Sequence, residues 1–256
     1  MDIKEIAEKL KSVSDSPRLD ARLLLESGGD LDEKIRRRLN HEPVSKIIGK
    51  KGFWKSEFIT SPDVLDPRPD SETIIQSILK FYPGKNKPYR ILDIGVGSGC
   101  LLFSVLDEYP HATGVGIDVS PQALKIAEQN RGKRTATLIR RDFYEEDWWD
   151  NLGIFDIIIS NPPYIPVKDI SALAPDVRLF DPITALDGGQ DGLDAYRALA
   201  KSLGQLLNKN GTVFLEIGQG QEKDVGDIFL ASGFTLSHAV QDFGGITRVL
   251  VFCAMR

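Results

Sequence analysis

The chain has 256 residues, 41% of them hydrophobic and 27% charged, with a formal net charge of −5. This is the composition of a folded protein with one large core and a small satellite, and it excludes a disordered chain. No stretch approaches the roughly 18 consecutive apolar residues of a membrane span, and the first 15 residues mix both signs of charge too often for a secretory signal. Cys100 and Cys253 are the only cysteines, which rules out a disulfide scaffold and fits a reducing, cytoplasmic setting. His41, His111 and His238 are far apart in the chain, so no metal site is expected. Residues 1–60 carry a net charge of +2 and the remainder −7. Neither part has the bulk charge of a nucleic-acid binder, and no specific DNA target is expected. The run Arg36-Arg37-Arg38 reads as a solvated helix end rather than a phosphate or partner contact.

The chain opens as helices. Ile3, Ile6, Ala7 and Leu10 follow one-face helical spacing. Ser16-Pro17 predicts an N-cap with proline at the first helical position, Leu19, Leu23 and Leu24 form the next apolar stripe, and Gly28-Gly29 end it. A third helix is expected over Leu31–Leu39. From Ile47 to Leu65, Gly49, Gly52, Phe53, Trp54, Phe58 and Ile59 predict a short hairpin or irregular connector. After a helix over Ser71–Phe81 the pattern becomes strand and helix in alternation. Strands are expected at Arg90–Gly95, Thr113–Asp118, Ala136–Asp142, Phe155–Ser160 and Thr212–Ile217, and helices at Cys100–Glu108, Pro121–Asn130, about 193–207 and about 221–231. Two last strands, near 235–240 and 247–253, are joined too closely for a parallel crossover and should pair antiparallel. Near-continuous apolar strands between helices imply a mostly parallel sheet covered on both faces.

The loop Gly95-Val96-Gly97-Ser98-Gly99 ends the first of these sheet strands and opens a helix. Glycines there let the backbone turn sharply and approach a ligand lying at the strand edge, where nucleotide-like cofactors bind. Asp118 ends the next strand, where a carboxylate is placed to accept hydrogen bonds from both ribose hydroxyls. Asp142 and Phe143 follow the third strand, and together suit an adenine, although such an aspartate equally serves as a helix cap.

Asn161-Pro162-Pro163-Tyr164 follows the fourth strand. Two prolines fix the backbone and remove two N–H donors, leaving neighbouring carbonyls free to accept. The Asn161 side-chain oxygen and the Pro162 carbonyl are then placed to grip the two N–H bonds of a planar –NH2 group, and Tyr164 offers a ring to stack on it. Held so, a delocalised nitrogen is favoured to pyramidalise toward an electrophile.

A Gly-x-Gly-x-Gly loop, a ribose acid and an Asn-Pro-Pro-Tyr after the fourth strand resemble the class I S-adenosylmethionine-dependent methyltransferases. The Asn-Pro-Pro-Tyr alone is shared by enzymes acting on adenine, cytosine or glutamine and selects no substrate. Residues 61–72, SPDVLDPRPDSE, are similar to the V-L-I-P-R-P-E-T-E motif of the HemK/PrmC family. Arg18–Leu25, Glu42-Pro43-Val44, Gly52-Phe53-Trp54, Ala185–Leu193, Leu215–Gly218 and Asp242–Val249 also resemble family segments.

The resemblance implies an α/β fold of the Rossmann-like methyltransferase type, with a mostly parallel seven-stranded sheet over 61–256. It also implies a small N-terminal helical substrate-recognition domain with its hairpin connector over 1–60. It further implies methylation of the glutamine N5 in the Gly-Gly-Gln of peptide chain release factors. The cofactor would be S-adenosylmethionine, held by Gly95 to Gly99, Asp118, Asp142, Phe143 and Asn161. The substrate glutamine would sit on Asn161, Pro162, Pro163 and Tyr164. Three departures stand out: Asp66 replaces an apolar residue, Asp70 and Ser71 differ from Glu and Thr, and Lys46 stands in place of an aromatic. Arg68 and Glu72 either line the pocket or pair with each other. Gly188-Gly189-Gln190 is itself a Gly-Gly-Gln, and reads as a chance likeness within a family segment.

Overall fold

The computed structural model describes residues 1–255. The N-terminal helices are α1 (Ile3–Leu10), α2 (Pro17–Glu26), α3 (Leu31–Leu39) and the short α4 (Val44–Ile48). Asp2 and Glu5 close a reciprocal cap on α1. These helices bury their own apolar cluster of Ile6, Leu10, Ala21, Leu24, Ile35 and Ile47. On α2 the inward positions are Ala21 and Leu24, whereas Leu19 is exposed and Leu23 half-buried, so the expected leucine stripe is displaced around the helix. Ser16 precedes α2, but at ψ 57° its side chain makes no capping bond. The three arginines are not a bare helix end. Arg36 pairs with Glu33 and Arg37 with Glu42, while Arg38 is buried on Asp20 at 2.8 Å and donates to the Val13 carbonyl.

Strands β1 (Lys50–Phe53) and β2 (Ser56–Ile59) form the hairpin. A 3-10 turn over Pro69–Ser71 then leads into α5 (Glu72–Phe81). The alternating region follows as β3 (Arg90–Ile94), α6 (Cys100–Glu108), β4 (Thr113–Asp118), α7 (Pro121–Arg131), β5 (Ala136–Arg140) and β6 (Phe155–Ser160). Beyond the irregular segment holding α8 (Pro175–Phe180) come α9 (Asp194–Leu206), β7 (Leu207–Glu216), α10 (Glu222–Ala231), β8 (Phe234–Gln241) and β9 (Thr247–Ala254). Leu207 opens β7 rather than closing α9, and β5 stops at Arg140, leaving Asp142 in the turn beyond it.

The seven-stranded sheet runs β5-β4-β3-β6-β7-β9-β8. Pairs from β5 to β7 are parallel, and β9 lies antiparallel to both neighbours. Side chains alternate between two buried layers. Leu92, Ile94, Ile158 and Leu215 face α9 and α10, and Ile91, Ile157, Ile159 and Phe214 face α5 and α6. The strand order reverses between β3 and β6. The chain leaves β3 toward β5, then returns to place β6 on the other side of β3, and the Ser160 hydroxyl donates to the Ile94 carbonyl across the two. Loops from both halves diverge above this point, which opens a crevice at the strand carboxyl ends.

The hairpin and α4 are tied to that crevice. Asn130 on α7 accepts from the Ile59 N–H at 2.8 Å and donates to the carbonyls of Ile59 and Ser98, joining hairpin to glycine loop. Lys46 on α4 is fully buried, 3.1 Å from Asp66 and 3.3 Å from Asp181. The two family departures are therefore partners. Burial works against the Asp66 carboxylate, but Lys46, Ser45 and Thr60 outweigh it and hold its pKa below the ordinary range. Replacing Lys46→Met would leave the buried Asp66 carboxylate without a cation and Asp181 with Arg68 alone, and cost about 3 kcal/mol or more. The double change Lys46→Phe with Asp66→Val should cost less than the single one. Denaturant unfolding of both variants checks this, and a single variant as stable as the parent chain would contradict it.

Candidate active site

The crevice is a cleft of about 430 Å³. Its floor is the β3–α6 loop, where Gly95, Gly97 and Gly99 all take positive φ. At Gly95 a Cβ would meet nothing within 4 Å, so the backbone there faces open cleft that a side chain would occupy. Val96 and Ser98 complete the floor. Asp118 stands beside it at the end of β4. One of its oxygens accepts from the Gly97 N–H and the other from the Ser120 N–H, both at 2.9 Å. Burial raises its pKa, against those backbone donors. Asp142 and Phe143 form the facing wall. The Asp142 carboxylate accepts from the Tyr144 N–H at 2.9 Å, so it caps a turn rather than a helix, and the Phe143 ring lies 4.5 Å from that of Tyr144.

Asn161, Pro162 and Pro163 close the cleft on the β6 side. The Asn161 side chain is set by a single bond, from its Nδ2 to the Ser71 Oγ at 3.2 Å. That bond leaves the amide oxygen as the free end. Among the described residues no protein donor takes the Asn161 side-chain oxygen or the Pro162 carbonyl. Tyr164 is placed differently from the expected stacking ring. It lies behind the cleft wall, packed against the apolar layer of α9 and α10, with its hydroxyl 3.5 Å from Glu216. Burial pushes its pKa up.

The segment after β6 is braced from behind. Gln221 donates to the carbonyls of Tyr164 and Gly192 and accepts from Gly218. Ile165 pairs with Asp187 in a short parallel bridge, its N–H donating to the Leu186 carbonyl and its carbonyl accepting from the Gly188 N–H. A Cβ on Gly188 would lie 2.8 Å from the Tyr164 Cα and 2.9 Å from the Pro163 carbonyl oxygen. The first glycine of the internal Gly-Gly-Gln is thus required by close packing against the Asn-Pro-Pro-Tyr turn. Arg68 lines the cleft but pairs with Asp181 at 2.5 Å, and Glu72 accepts from the Trp54 N–H at 2.7 Å. The two do not pair with each other.

Two residues beside the site were not expected there: Ser71 stood out only as a departure from the family motif, and Glu216 not at all. Ser71 is buried at the start of α5, and Glu216 is buried at the end of β7. Both lie within segments quoted for the resemblance, but only the three-dimensional packing sets them against Asn161 and Tyr164. Among the described residues no group of three or more His, Cys, Asp or Glu side chains is gathered to hold a metal, and no helix is long and apolar enough to cross a membrane.

Residues 71–175 match the family of the methyltransferase small domain. The chain is 44% identical to a release factor glutamine methyltransferase of Rhodospirillum rubrum, over 86% of its own length and 67% of that protein's. It is 39% identical to a release factor glutamine methyltransferase of Caulobacter vibrioides, over 95% and 92% of the two chains. It belongs to the release factor glutamine methyltransferase family. A methyltransferase from Pyrococcus furiosus shares the fold at a TM-score of 0.58 and 17% identity, covering 86% of this chain and 98% of that one.

Within this family member, the close contact at Gly188 makes a sharp test of the brace. Gly188→Ala forces the Asn-Pro-Pro-Tyr backbone to move, and should lower stability by about 1–3 kcal/mol together with methyl transfer. Denaturant unfolding and turnover measured on the same preparation check it, and unchanged values for both would contradict it.

Proposed function

We propose that the chain transfers the methyl group of S-adenosylmethionine to the side-chain amide nitrogen, N5, of the glutamine in the Gly-Gly-Gln of peptide chain release factors. The observation that carries the reading is the pair of unengaged acceptors, the Asn161 oxygen and the Pro162 carbonyl, on one wall of a cleft floored by a glycine loop. Family membership supports the choice of release factor over other carriers of an –NH2 group.

The residues present fit the cofactor. Gly95 leaves backbone open to the cleft, Asp118 keeps lone pairs beyond its two backbone bonds, and Phe143 offers an apolar ring on the facing wall. Gly95 to Gly99 and Asp118 would hold the aminoacyl and ribose parts, and Asp142 and Phe143 the base. When bound, S-adenosylmethionine supplies a methyl group on a positively charged sulfur, which makes that carbon electrophilic.

The chain's own work is then positioning. Asn161 and Pro162 accept the two N–H bonds of the glutamine amide, drawing the nitrogen out of conjugation and fixing the direction of its lone pair. Pro163 stiffens the turn, and Tyr164 braces it from behind through its contacts with the core. Bond formation leaves the nitrogen positively charged and its proton easily lost, so no strong base is required. Recognition of the release factor belongs to residues 1–60 in this reading, with 61–256 as the catalytic unit.

Asn161→Ala should lower transfer to a release factor by roughly a hundredfold or more, while cofactor affinity stays close to that of the parent chain. Isothermal titration with the cofactor beside a labelled-methyl assay checks both. Near-normal turnover in the variant would contradict the assignment.

A further inference from the structure

Phe243 is 92% exposed, more than any other large apolar side chain among the described residues. It sits in the turn between β8 and β9, and that turn is braced. The Asp242 carboxylate accepts from the Gly244 N–H at 2.8 Å and the Ile246 N–H at 3.0 Å, and its second oxygen takes the Arg248 Nε at 3.1 Å. Backbone bonds join Asp242 to Gly245 and Ile246, with Gly245 at a φ of 80° that a side chain would resist. Arg248 then reaches across to Asp70 at 3.1 Å. Asp70 lies in the turn between Arg68 and Ser71, both of which line the cleft.

The direction of the strands puts this turn on the cleft side of the sheet. β9 runs antiparallel to β7 with Val249 opposite Glu216, so the residues before Val249 project past the carboxyl end of β7. A second apolar segment leaves the same edge after β6. There α8 and the 3-10 turns over Val167–Ala172 and Ile183–Ala185 bury no residue. Val167, Leu179 and Ile183 are each more than half exposed, and Ile183 lines the cleft. Single exposed apolar side chains are ordinary. A ring on a braced turn and an apolar excursion, together on one edge beside one cleft, mark a surface for a protein partner.

We propose that Phe243, held on its turn by Asp242 and Arg248, is a docking anchor for the folded domain that carries the substrate glutamine, and that Val167, Leu179 and Ile183 extend the same apolar contact. The proposal rests on the function proposed above and deepens it, by naming the surface that meets the release factor outside the cleft. Charge favours a protein here. Residues 61–256 carry a net charge of −7, which repels nucleic-acid phosphates and anionic lipid alike. The anchor is also preformed. A ring already fixed in place needs little ordering when the partner arrives, so most of its burial is expressed as affinity. A short peptide that fills only the cleft takes no part in this contact.

The test compares the full chain with Phe243→Ser, using two acceptors: a release factor and a short peptide containing Gly-Gly-Gln. KM for the release factor should rise about tenfold, while kcat, cofactor affinity and transfer to the peptide stay at the parent values. Leu179→Ser should raise the same KM. Leu230→Ser is the control. Leu230 is nearly as exposed as Leu179, but it ends α10 on the opposite edge of the sheet and should change nothing. A parent-like KM in Phe243→Ser, or an equal loss toward the peptide, would overturn the proposal. So would self-association of the parent chain that Phe243→Ser abolishes in sedimentation, which would assign the turn to a second copy of this chain. If the parent methylates neither acceptor, the proposed function fails, and titration of the release factor onto the cofactor-loaded chain still decides the anchor. A Kd raised about tenfold by Phe243→Ser supports it. An unchanged Kd, or no binding by the parent, overturns it.

Discussion

The parallel pairing of β3 with β6 is the constraint on which the rest of the molecule depends. It sets Ile94 beside Ser160, so the glycine loop that leaves one strand and the Asn-Pro-Pro-Tyr turn that leaves the other start from neighbouring positions on one sheet edge. Neither segment is a site alone. A glycine loop without a nitrogen grip holds a ligand, and a pair of free acceptors without a cofactor floor holds an amide. Only the reversal of strand order between β3 and β6 makes the two face each other over a common cleft.

Such a turn requires support, because two prolines remove the N–H groups that would otherwise bind it to its neighbours. The support comes from behind. Gly188 approaches the Tyr164 backbone too closely for any side chain, Gln221 clamps the Tyr164 carbonyl, and Tyr164 reaches toward Glu216. The polar groups of the turn are therefore satisfied on the core side and left open on the cleft side. The cleft is also wired to the N-terminal helices. Lys46 of α4 meets Asp66 and Asp181, and Asp181 in turn holds Arg68 on the cleft wall. Buried Lys46, Asp66 and Asp181, with the half-exposed Arg68 as second cation, tie the helices to the mouth of the cleft.

Much of this was legible in the sequence, and the exceptions have physical reasons. β4, β6, α3 and α6 fall at their expected boundaries because a glycine, a proline or a sharp change of hydropathy punctuates each one. The short α4 was hidden, since Ser45 and Lys46 are polar residues whose burial depends on Asp66, far along the chain. For the same reason Lys46 and Asp66 each read as a departure, although together they are a replacement of one buried contact by another. The candidate cleft residues were visible because each sits at or just beyond a strand end, and the structure gathers Gly95 to Ser98, Asp118, Asp142, Phe143 and Asn161 to Pro163 around one cavity, while Gly99 is buried beside Phe103 at the start of α6 and does not line it. Tyr164 was misplaced, because alternation along a chain does not say whether a ring after a strand turns outward or inward. Ser71 and Glu216 acquire meaning only from packing between α5, β6 and β7.

The most direct measurement is transfer of labelled methyl from S-adenosylmethionine to a release factor, a ribosomal protein and DNA offered separately, with the modified atom located by mass spectrometry. The label should appear on the side-chain amide nitrogen of the release factor's Gly-Gly-Gln glutamine and vanish when that glutamine is replaced. Label confined to the ribosomal protein or to DNA, or persisting on the release factor after the replacement, would contradict the account.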